Sequence, residues 1–311
     1  MRVVVAGGTG FVGRHISRAL LDAGHDVAVL GRDPSKVAAI PQLRGAGAVR
    51  GDVTDPGSLR GTLDDTDVVV GAVQFPNYPM ELPRYRLTFD HYDRVGTENL
   101  LAEATRAGVT NYLYISGAGV DPRSPKRWYR AKGLAEAAIA ASGLGYAFLR
   151  PSWAYGPEDK ALNKFVAIAR RSPVVPYPAP VEMRGPFVHF VDQHIQPVWI
   201  GDVATAASRI LERDAWGATY EIGSRAVMTM REVVATMLEV LGKKKAVIPV
   251  PAPLMKLATA PLVALPRPPL TPGGVDFAIQ DGLVDVTATT EVLGVDPIPL
   301  SEGLRHYLQP S

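Results

Sequence analysis

The chain has 311 residues, of which 47% are hydrophobic and 21% charged, as in an ordinary globular protein with a substantial core. Its formal net charge of +2 gives no general case for nucleic acid, and no partner of that kind is expected. The absence of cysteine excludes disulfide bonds, thiol catalysis and cysteine-ligated zinc. The six histidines do not pair at metal-ligand spacing, so no metal site is expected.

Apolar runs typical of strands alternate with helical patterns through the first half of the chain. The six predicted strands are Val3–Ala6, Asp26–Leu30, Ala48–Arg50, Val68–Val73, Tyr112–Ser116 and Tyr146–Leu149. The main predicted helices are Val12–Ala23, Leu87–Ala107 and Tyr129–Ser142. This alternation predicts an α/β fold with a parallel sheet, and the nearly continuous apolar runs predict that helices cover both of its faces.

The composition changes after Pro151. Prolines cluster at residues 173–186 and 249–272, and the helical patterns become shorter and irregular. We therefore expect a Rossmann-type, doubly wound domain over residues 1–150. A smaller C-terminal lobe over residues 151–311 is expected to interleave with the sheet.

One apolar segment of this lobe, residues 251–265, has two interpretations. It is interrupted by Lys256 and Pro261 and follows the basic run Lys243–Lys245. It predicts either a helix packed on the protein's own lobe or a peripheral contact with a membrane surface. No run reaches the roughly 18–20 apolar residues of a membrane span, and Met1 leads directly into the first strand without a visible signal peptide. The expected location is the cytoplasm, with a peripheral membrane position as the alternative.

The most informative motif is the N-terminal stretch MRVVVAGGTGFVGRH, which reads as a strand, a glycine turn and the start of a helix. Glycine at position 7 allows the tight turn, Gly10 lets the backbone approach a pyrophosphate, and Gly13 lets the helix pack close to the strand. Free N–H groups at the helix N-terminus would then face the anion. The predicted dinucleotide contacts from this loop are Gly7, Gly8, Thr9, Gly10, Phe11, Val12 and Gly13.

Residues at the ends of the next strands predict which dinucleotide is bound. The second strand ends in Gly31 and Arg32, where a site for NAD usually carries an acidic residue. The arginine fork suits a 2′-phosphate, with Lys36 assisting, so NADP(H) is the preferred cofactor and NAD(H) the second choice. Alternatively, Arg32 is an ordinary solvated loop charge.

The third and fourth strands supply the remaining predicted contacts. Asp52 would accept a hydrogen bond from the adenine amino group, or would instead cap the helix that begins near Pro56. Val53 follows it at the same sheet edge. Beyond the fourth strand, the small and apolar Ala72 and Val73 would let the backbone lie against the cofactor.

Taken together, these motifs resemble the extended or atypical short-chain dehydrogenase/reductase superfamily over nearly the whole chain. The segments that carry the resemblance are GGTGFVG (7–13), GDVTD (51–55), DRVGTENLLAEA (93–104), YISGAG (114–119), YRAKGLAEAAI (129–139), LRPSWAYGPED (149–159) and QPVWIGDVA (196–204). The tail PLTPGGVDFAIQDGLVD (269–285) is similar to the branch that includes the NAD(P)H-binding accessory subunit of respiratory complex I. The resemblance implies a respiratory-complex contact through the C-terminal lobe as one partner hypothesis.

The superfamily's active pair is Tyr-x-x-x-Lys on one helix, and here the resemblance breaks. Counting back four residues from Lys132 leads to Trp128, and an indole cannot serve as the acid or base. Tyr129 lies three residues before Lys132, turned by roughly 100° around the helix. The resemblance implies a nicotinamide-ribose contact for Lys132, and Tyr129 and Lys132 are the candidate catalytic residues.

Three further positions follow from the same resemblance. Ser116 stands in YISGAG, although the usual catalytic serine falls a residue or more later. Asp93 occupies a place where many extended members have asparagine. Tyr155, in WAYGP, is expected near the nicotinamide, so Ser116 and Tyr155 complete the predicted cofactor contacts.

Two functions from different classes remain open at this point. The first is an NADP(H)-dependent oxidoreductase acting on a lipophilic or quinone-like carbonyl substrate. The second is a protein that binds NADP(H) as a structural or sensing ligand without turnover, as in a respiratory-complex accessory subunit. Trp128 favours the second function, whereas Tyr129 and the retained motifs favour the first. A chain of net charge +2 without an evident basic–aromatic stripe gives little support to a role in binding RNA.

Overall fold

The computed structural model describes residues 1–76, 78–265, 268 and 270–308. The strands within these ranges are β1 (Arg2–Ala6), β2 (Asp26–Gly31), β3 (Gly47–Arg50), β4 (Val68–Gly71), β5 (Asn111–Ile115), β6 (Gly145–Pro151), β7 (Ala154–Tyr155), β8 (Val174–Ala179), β9 (Val181–Arg184), β10 (Phe187–Phe190), β11 (His194–Ile195), β12 (Val198–Trp199), β13 (Ala218–Ile222), β14 (Met228–Thr229) and β15 (Ala246–Pro251).

The helices alternate with these strands. The α-helices are α1 (Phe11–Asp22), α2 (Ser35–Ala38), α3 (Pro56–Leu59), α4 (Gly96–Ala107), α5 (Arg127–Ala140), α6 (Leu162–Arg171), α7 (Ile200–Glu212), α8 (Met230–Val240), α9 (Ala252–Thr259), α10 (Pro272–Ala278), α11 (Thr287–Glu291) and α12 (Leu300–Arg305). Three 3₁₀ turns cover Pro41–Leu43, Pro83–Tyr85 and Ala260–Ala264, and a π-helical turn covers Asp90–Val95.

Seven strands form one parallel sheet in the order β13-β6-β5-β4-β1-β2-β3. The strand order reverses between β1 and β4, which are neighbours in space but far apart in the chain. In open parallel sheets, ligands bind in the crevice outside the carboxyl ends of the strands at such a switch point. The predicted Rossmann-type, doubly wound sheet is confirmed.

Alternate residues of β1 belong to two separate cores. Val3 and Val5 face the core that α1 and α7 complete, whereas Val4 and Ala6 face the core shared with α4 and α5. Because successive side chains of a strand point to opposite faces, helices must cover both faces of this sheet. The strands read as continuous apolar runs because helices cover both faces of the sheet, as predicted.

The chain after Pro151 returns to the sheet. Strand β13 pairs with β6, and α7 packs against α1. A second core lies between α6, α8, α12 and the parallel pair of β8 and β15. The chain after Pro151 therefore both extends the main sheet and forms a core of its own, and the division into two domains stays a prediction. Within the described residues, no helix combines the length and the apolar character that crossing a bilayer requires.

Two elements differ from the sequence prediction. The seventh strand, β13, was not predicted, because ATYEI is a short edge strand with only Tyr220 and Ile222 fully buried. The predicted helix Leu87–Ala107 is shorter, since α4 begins at Gly96 after the π-helical turn Asp90–Val95. Apolar periodicity cannot distinguish this wider turn from a regular helix.

Candidate functional site

The glycine loop between β1 and α1 is held tightly on one side and open on the other. Gly7 has a φ of +83°, and a Cβ there would stand 2.6 Å from the Ala72 carbonyl oxygen. A Cβ at Gly13 would collide with the Gly7 backbone. A Cβ at Gly10 would meet the Gly7 carbonyl oxygen at 3.1 Å and no further described atom within 4 Å. Packing therefore requires glycine at positions 7 and 13, whereas Gly10 faces free space.

Helix α1 begins directly after this loop, and no side chain in the described part of the chain caps its first turn. The N–H groups of the first turn have no partner within the helix, so an anion at this end would satisfy them. The open approach at Gly10 and this uncapped end fit a pyrophosphate. Gly8 packs on Val29 of β2, and Thr9 lies half-buried beside it, so the loop is also anchored to the sheet.

An arginine that sequence reasoning missed supports the loop from outside. The Arg14 guanidinium donates to the Thr9 carbonyl at 2.7 Å and to the Gly10 carbonyl at 3.1 Å. It also lies 3.7 Å from the Glu158 carboxylate of the C-terminal lobe. The only signal in the sequence was its position four residues after Gly10, where a helical side chain can reach back.

The end of β4 runs beside the same loop. The Ala72 N–H donates to the Ala6 carbonyl at 2.9 Å, and the Ala72 carbonyl lies against Gly7. Ala72 and Val73 are both half-buried, at the switch point of the sheet. This places the two residues next to the glycine loop, as their positions in the sequence suggested.

At the end of β2, the exposed Arg32 lies next to Gly31, which borders open space. A Cβ at Gly31 would meet no described atom within 4 Å, and Arg32 is exposed. No hydrogen bond or ion pair of the Arg32 guanidinium is found within the described part of the chain. Lys36, by contrast, lies 3.6 Å from Asp33. Of the two predicted phosphate ligands, only Lys36 already has a carboxylate partner.

Asp52 and Val53 lie at the end of the next strand. The Asp52 carboxylate accepts from the Thr54 N–H at 2.9 Å and from the Thr54 hydroxyl at 2.8 Å. The cap of α3 is Asp55 rather than Asp52, since Asp55 accepts from the Gly57 N–H. The capping alternative for Asp52 is therefore wrong, and its carboxylate is instead held in a turn. Val53 is buried against Gly96 at the start of α4.

Lys132 lies in a buried ion pair below the site. Its ammonium is 3.0 Å from the Asp93 carboxylate and donates to the Ile115 carbonyl at 3.0 Å, and the Lys132 residue is only 2% exposed. Burial raises the pKa of Asp93, and the neighbouring ammonium opposes that rise. Aspartate in place of asparagine therefore supplies the counter-ion that a buried lysine needs. The contact of Lys132 with a ribose stays a prediction.

Trp128 lies one helical turn before Lys132, at the position of the missing tyrosine. Its ring covers Gly117, where a Cβ would come within 2.6 Å of the indole. The Phe277 ring of α10 meets it edge-on, with 5.2 Å between ring centroids. An apolar aromatic contact thus occupies the place of the acid-base hydroxyl.

Tyr129 points towards the C-terminal lobe. Its hydroxyl donates to the Asp281 carbonyl at 3.4 Å, and its ring packs beside Gly119. Burial, with a smaller contribution from Asp281, raises the pKa of Tyr129. In the active pair of the superfamily, lysine lowers the tyrosine pKa, so the environment of Tyr129 acts in the opposite direction.

A segment that sequence reasoning did not assign to the site covers both aromatic side chains. In this segment, residues 272–284, α10 brings Phe277 against Trp128, and the following turn receives the Tyr129 hydroxyl. The Ser152 hydroxyl donates to the Gly282 carbonyl at 2.5 Å and fixes the same turn to the end of β6. The tail resembled the family by sequence, but only tertiary packing could show what it covers.

The last two predicted contacts have different surroundings. Ser116 is buried at the end of β5, and its hydroxyl has no hydrogen-bond partner within the described residues. Tyr155 is fully buried in the core of the C-terminal lobe, where its hydroxyl donates to the Leu300 carbonyl at 3.4 Å. Its side chain faces α12 rather than an open surface, because the turn after β6 directs it into the lobe. Among the described residues, no three His, Asp or Glu side chains are grouped to hold a metal ion.

Comparison with known proteins agrees with this geometry. The family model described as NAD(P)H-binding matches residues 7–174, more than half of the chain. Subunit 9 of the NADH dehydrogenase [ubiquinone] 1 alpha subcomplex from Arabidopsis thaliana is 26% identical over 264 residues, which cover 83% of this chain and 62% of that protein. A 3 beta-hydroxysteroid dehydrogenase/Delta 5→4-isomerase of Mycobacterium tuberculosis is 25% identical over 99% of this chain and 90% of its own length.

A solved structure shows the same architecture. The NADPH-dependent quinone oxidoreductase QOR2 of Escherichia coli, complexed with NADPH, matches with a TM-score of 0.72 and 21% identity. The match covers 98% of this chain and 99% of that one. The predicted resemblance to extended short-chain dehydrogenase/reductases is confirmed at the level of the fold. By its glycine loop, its switch point and the family model that spans them, the chain belongs to the NAD(P)H-binding family.

Proposed function

We propose that this chain binds NADP(H) and holds it without ordinary carbonyl reduction. The observation that carries the proposal is Trp128, which stands one turn before the buried Lys132 and packs on Phe277. An indole cannot donate or accept the proton that carbonyl reduction moves at the substrate oxygen. The bound cofactor would supply hydride chemistry, but this chain has no acid-base hydroxyl at the expected position to complete it.

The preference for the phosphorylated cofactor rests on Gly31 and Arg32. The open space at Gly31 admits a 2′-phosphate, and the exposed Arg32 supplies charge-assisted hydrogen bonds to it. A carboxylate at this position would instead favour the two free ribose hydroxyls of NAD(H). NADP(H) is thus the ligand with the better charge match.

A binding role also agrees with the name of one relative. The Arabidopsis thaliana protein is a subunit of an NADH dehydrogenase, and the aligned part spans less than two thirds of it. A dinucleotide held as a structural ligand in such an assembly would require no turnover by this chain. Contact of this chain with a respiratory complex through its C-terminal lobe belongs to the same proposal.

Two measurements on the unmodified protein test the proposal. Calorimetric titration should show NADP(H) binding tighter than NAD(H) binding, and mixing the NADPH complex with quinone, steroid ketone or aldehyde probes should leave NADPH absorbance constant. Rapid NADPH oxidation with any of these probes would contradict the binding role. Equal affinity for the two cofactors would contradict the preference while leaving the binding role intact.

A second candidate is an NADP(H)-dependent reductase of a lipophilic or quinone-like carbonyl compound. Tyr129 favours it, because its hydroxyl is held at 3.4 Å by a backbone carbonyl of the covering segment, and movement of residues 272–284 would release it. The names of the Mycobacterium tuberculosis and Escherichia coli proteins include steroid and quinone chemistry. NADPH oxidation that is lost in Tyr129→Phe, with cofactor affinity retained, would establish this candidate over the first.

A further inference from the structure

Helix α9 and the 3₁₀ turn after it expose large apolar side chains. Leu254 and Leu257 are 58% and 73% exposed, and Leu265 at the end of the turn is 45% exposed. Because Leu254 and Leu257 are three residues apart, they share one face of the helix. The opposite side of α9 is anchored, since Lys256 forms an ion pair with Asp276 of α10 at 2.5 Å. The exposed face therefore belongs to an element with a fixed position.

The hairpin of β9 and β10 exposes a second apolar face. Val188 pairs with Met183, and Phe190 pairs with Val181, so these four side chains share one side of the two-stranded ribbon. Met183, Val188 and Phe190 are 65%, 54% and 51% exposed. The other side carries His189 opposite Glu182 and Phe187 opposite Arg184, and Phe187 is itself 67% exposed. The hairpin thus exposes large apolar side chains to solvent on both sides, and three of the four lie on the side of Met183.

The β9–β10 hairpin and α9 both begin at the same end of the two-stranded ribbon formed by β8 and β15. Strands β8 and β15 are parallel, and their last residues, Ala179 and Pro251, are partners in the pairing register. The hairpin follows β8 after one residue, and α9 follows β15 at once. Neighbouring strands are about 4.8 Å apart, so both apolar elements start from one place on the lobe.

Basic side chains adjoin this surface. Arg84 donates to the Ala264 and Leu265 carbonyls at 3.3 Å, which joins the loop before α4 to the end of the apolar turn. The exposed cations of this loop, of the segment before α5 and of the first turn of α5 are Arg84, Arg86, Arg123, Lys126, Arg127 and Arg130. The carboxylates paired within this group are Glu81, with Arg127, and Asp121, with Arg123. The patch keeps a net positive charge.

We infer that this surface docks the protein on a bilayer that contains anionic lipids. Burial of the apolar side chains of the hairpin and of α9 at the boundary of the acyl chains lowers the free energy. The neighbouring cations attract the anionic headgroups. A protein partner would need a complementary apolar surface that excludes water from both elements at once. The cationic patch beside the leucines favours the lipid surface. Docking in this way would turn the segment over Trp128 and Tyr129 towards the membrane side of the protein, because α9 packs on α10.

Co-sedimentation with vesicles tests this inference on the full chain. The probes are vesicles of phosphatidylcholine alone and of phosphatidylcholine mixed with phosphatidylglycerol. We expect binding to the mixed vesicles, weaker binding to phosphatidylcholine alone, and loss of binding as salt is raised. Leu257→Gln should weaken partitioning on the order of tenfold, since one leucine would no longer enter the bilayer. Val292→Gln is the matched control, because Val292 is an exposed apolar residue outside this surface.

Charge variants and the state of association complete the test. Arg86→Gln with Arg123→Gln should weaken binding to the mixed vesicles by roughly 30-fold, because each surface cation contributes about 1 kcal/mol near anionic lipid. NADP(H) affinity should stay unchanged in both sets of variants. Absence of binding to the mixed vesicles, or equal loss in Val292→Gln, would overturn the inference. A concentration-dependent dimer that Leu257→Gln dissociates would assign the surface to a second copy and overturn it as well.

Discussion

The glycine loop and helix α5, at the two ends of the candidate site, differ in how closely they match the motifs of the superfamily that the chain resembles. At the glycine loop, Gly7 and Gly13 are held by backbone contacts, and the space at Gly10 remains open for a pyrophosphate. At helix α5, the acid-base position carries Trp128, and Lys132 is neutralised by Asp93 below the surface. The glycine loop thus keeps the geometry of a dinucleotide site, whereas the side chain of α5 at position 128 serves aromatic packing. Binding and turnover can therefore be tested separately in this chain.

The largest expected effect is on the rate of NADPH oxidation, when a tyrosine hydroxyl is introduced at position 128. If the lack of a proton donor limits turnover, Trp128→Tyr should increase carbonyl-dependent NADPH oxidation by about 10²–10⁴-fold, the usual contribution of general acid-base catalysis. Phe277 still covers the position, so the lower part of that range is expected. The rate is followed by NADPH absorbance with Trp128→Phe as control. An equal gain in the control would show that relief of crowding, and not the hydroxyl, is responsible.

The buried ion pair should be the next most sensitive feature. Lys132→Met leaves the Asp93 carboxylate buried without its counter-ion and should lower the free energy of unfolding by about 3–5 kcal/mol. Lys132→Met combined with Asp93→Asn should recover most of that loss. Urea unfolding of the single and double variants measures both quantities. A single variant as stable as the parent would show that the pair contributes little.

The same pair predicts a pH dependence with a definite sign. Burial raises the pKa of Asp93, and removal of Lys132 takes away the interaction that lowers it. A carboxyl whose pKa is raised in the folded state stabilises the fold below its unfolded pKa of about 3.9, and that contribution is lost as the pH rises through the folded value. The free energy of unfolding of Lys132→Met should therefore be closest to that of the parent at acidic pH. The difference between the two proteins should increase towards neutral pH.

At the other end of the site, Gly10→Val should separate binding from folding. A Cβ at this position enters the space left for the pyrophosphate, and the loss of one or two charge-assisted hydrogen bonds weakens affinity on the order of 100-fold. Gly13→Ala is the contrasting variant, since its Cβ would collide with Gly7 and should lower the melting temperature. A folded Gly10→Val protein with unchanged cofactor affinity would remove the loop from the binding site.

The smallest expected effect concerns the choice of cofactor. Arg32→Ala should reduce the ratio of NADP(H) to NAD(H) affinity by about ten- to a hundredfold, the contribution of one hydrogen-bonded phosphate–arginine contact. Lys36→Ala should change the ratio less, because Lys36 already lies near Asp33. Calorimetric titration of both variants with both cofactors measures the ratio. A larger effect of Lys36→Ala would assign the phosphate to the lysine.

Local patterns in the sequence predicted six of the seven strands of the sheet and the glycine loop. Strands buried on both faces read as continuous apolar runs, and the spacing of Gly7, Gly10 and Gly13 between a strand and a helix is a local motif. The strand β13 was missed because edge strands carry little apolar signal. The exchange of tyrosine for Trp128 was also evident from sequence, since spacing along one helix fixes which side chains share a face.

The sequence by itself determined the Rossmann-type fold, the location of the dinucleotide loop and the altered catalytic motif, because each depends on residues close together in the chain. Tertiary structure decided the rest. It paired Lys132 with Asp93, placed Phe277 over Trp128 and directed Tyr129 to Asp281. It also buried Tyr155 in the C-terminal lobe and brought the hairpin and α9 to one end of a ribbon. These contacts join segments tens to more than a hundred residues apart, and no local propensity encodes which distant side chains will meet.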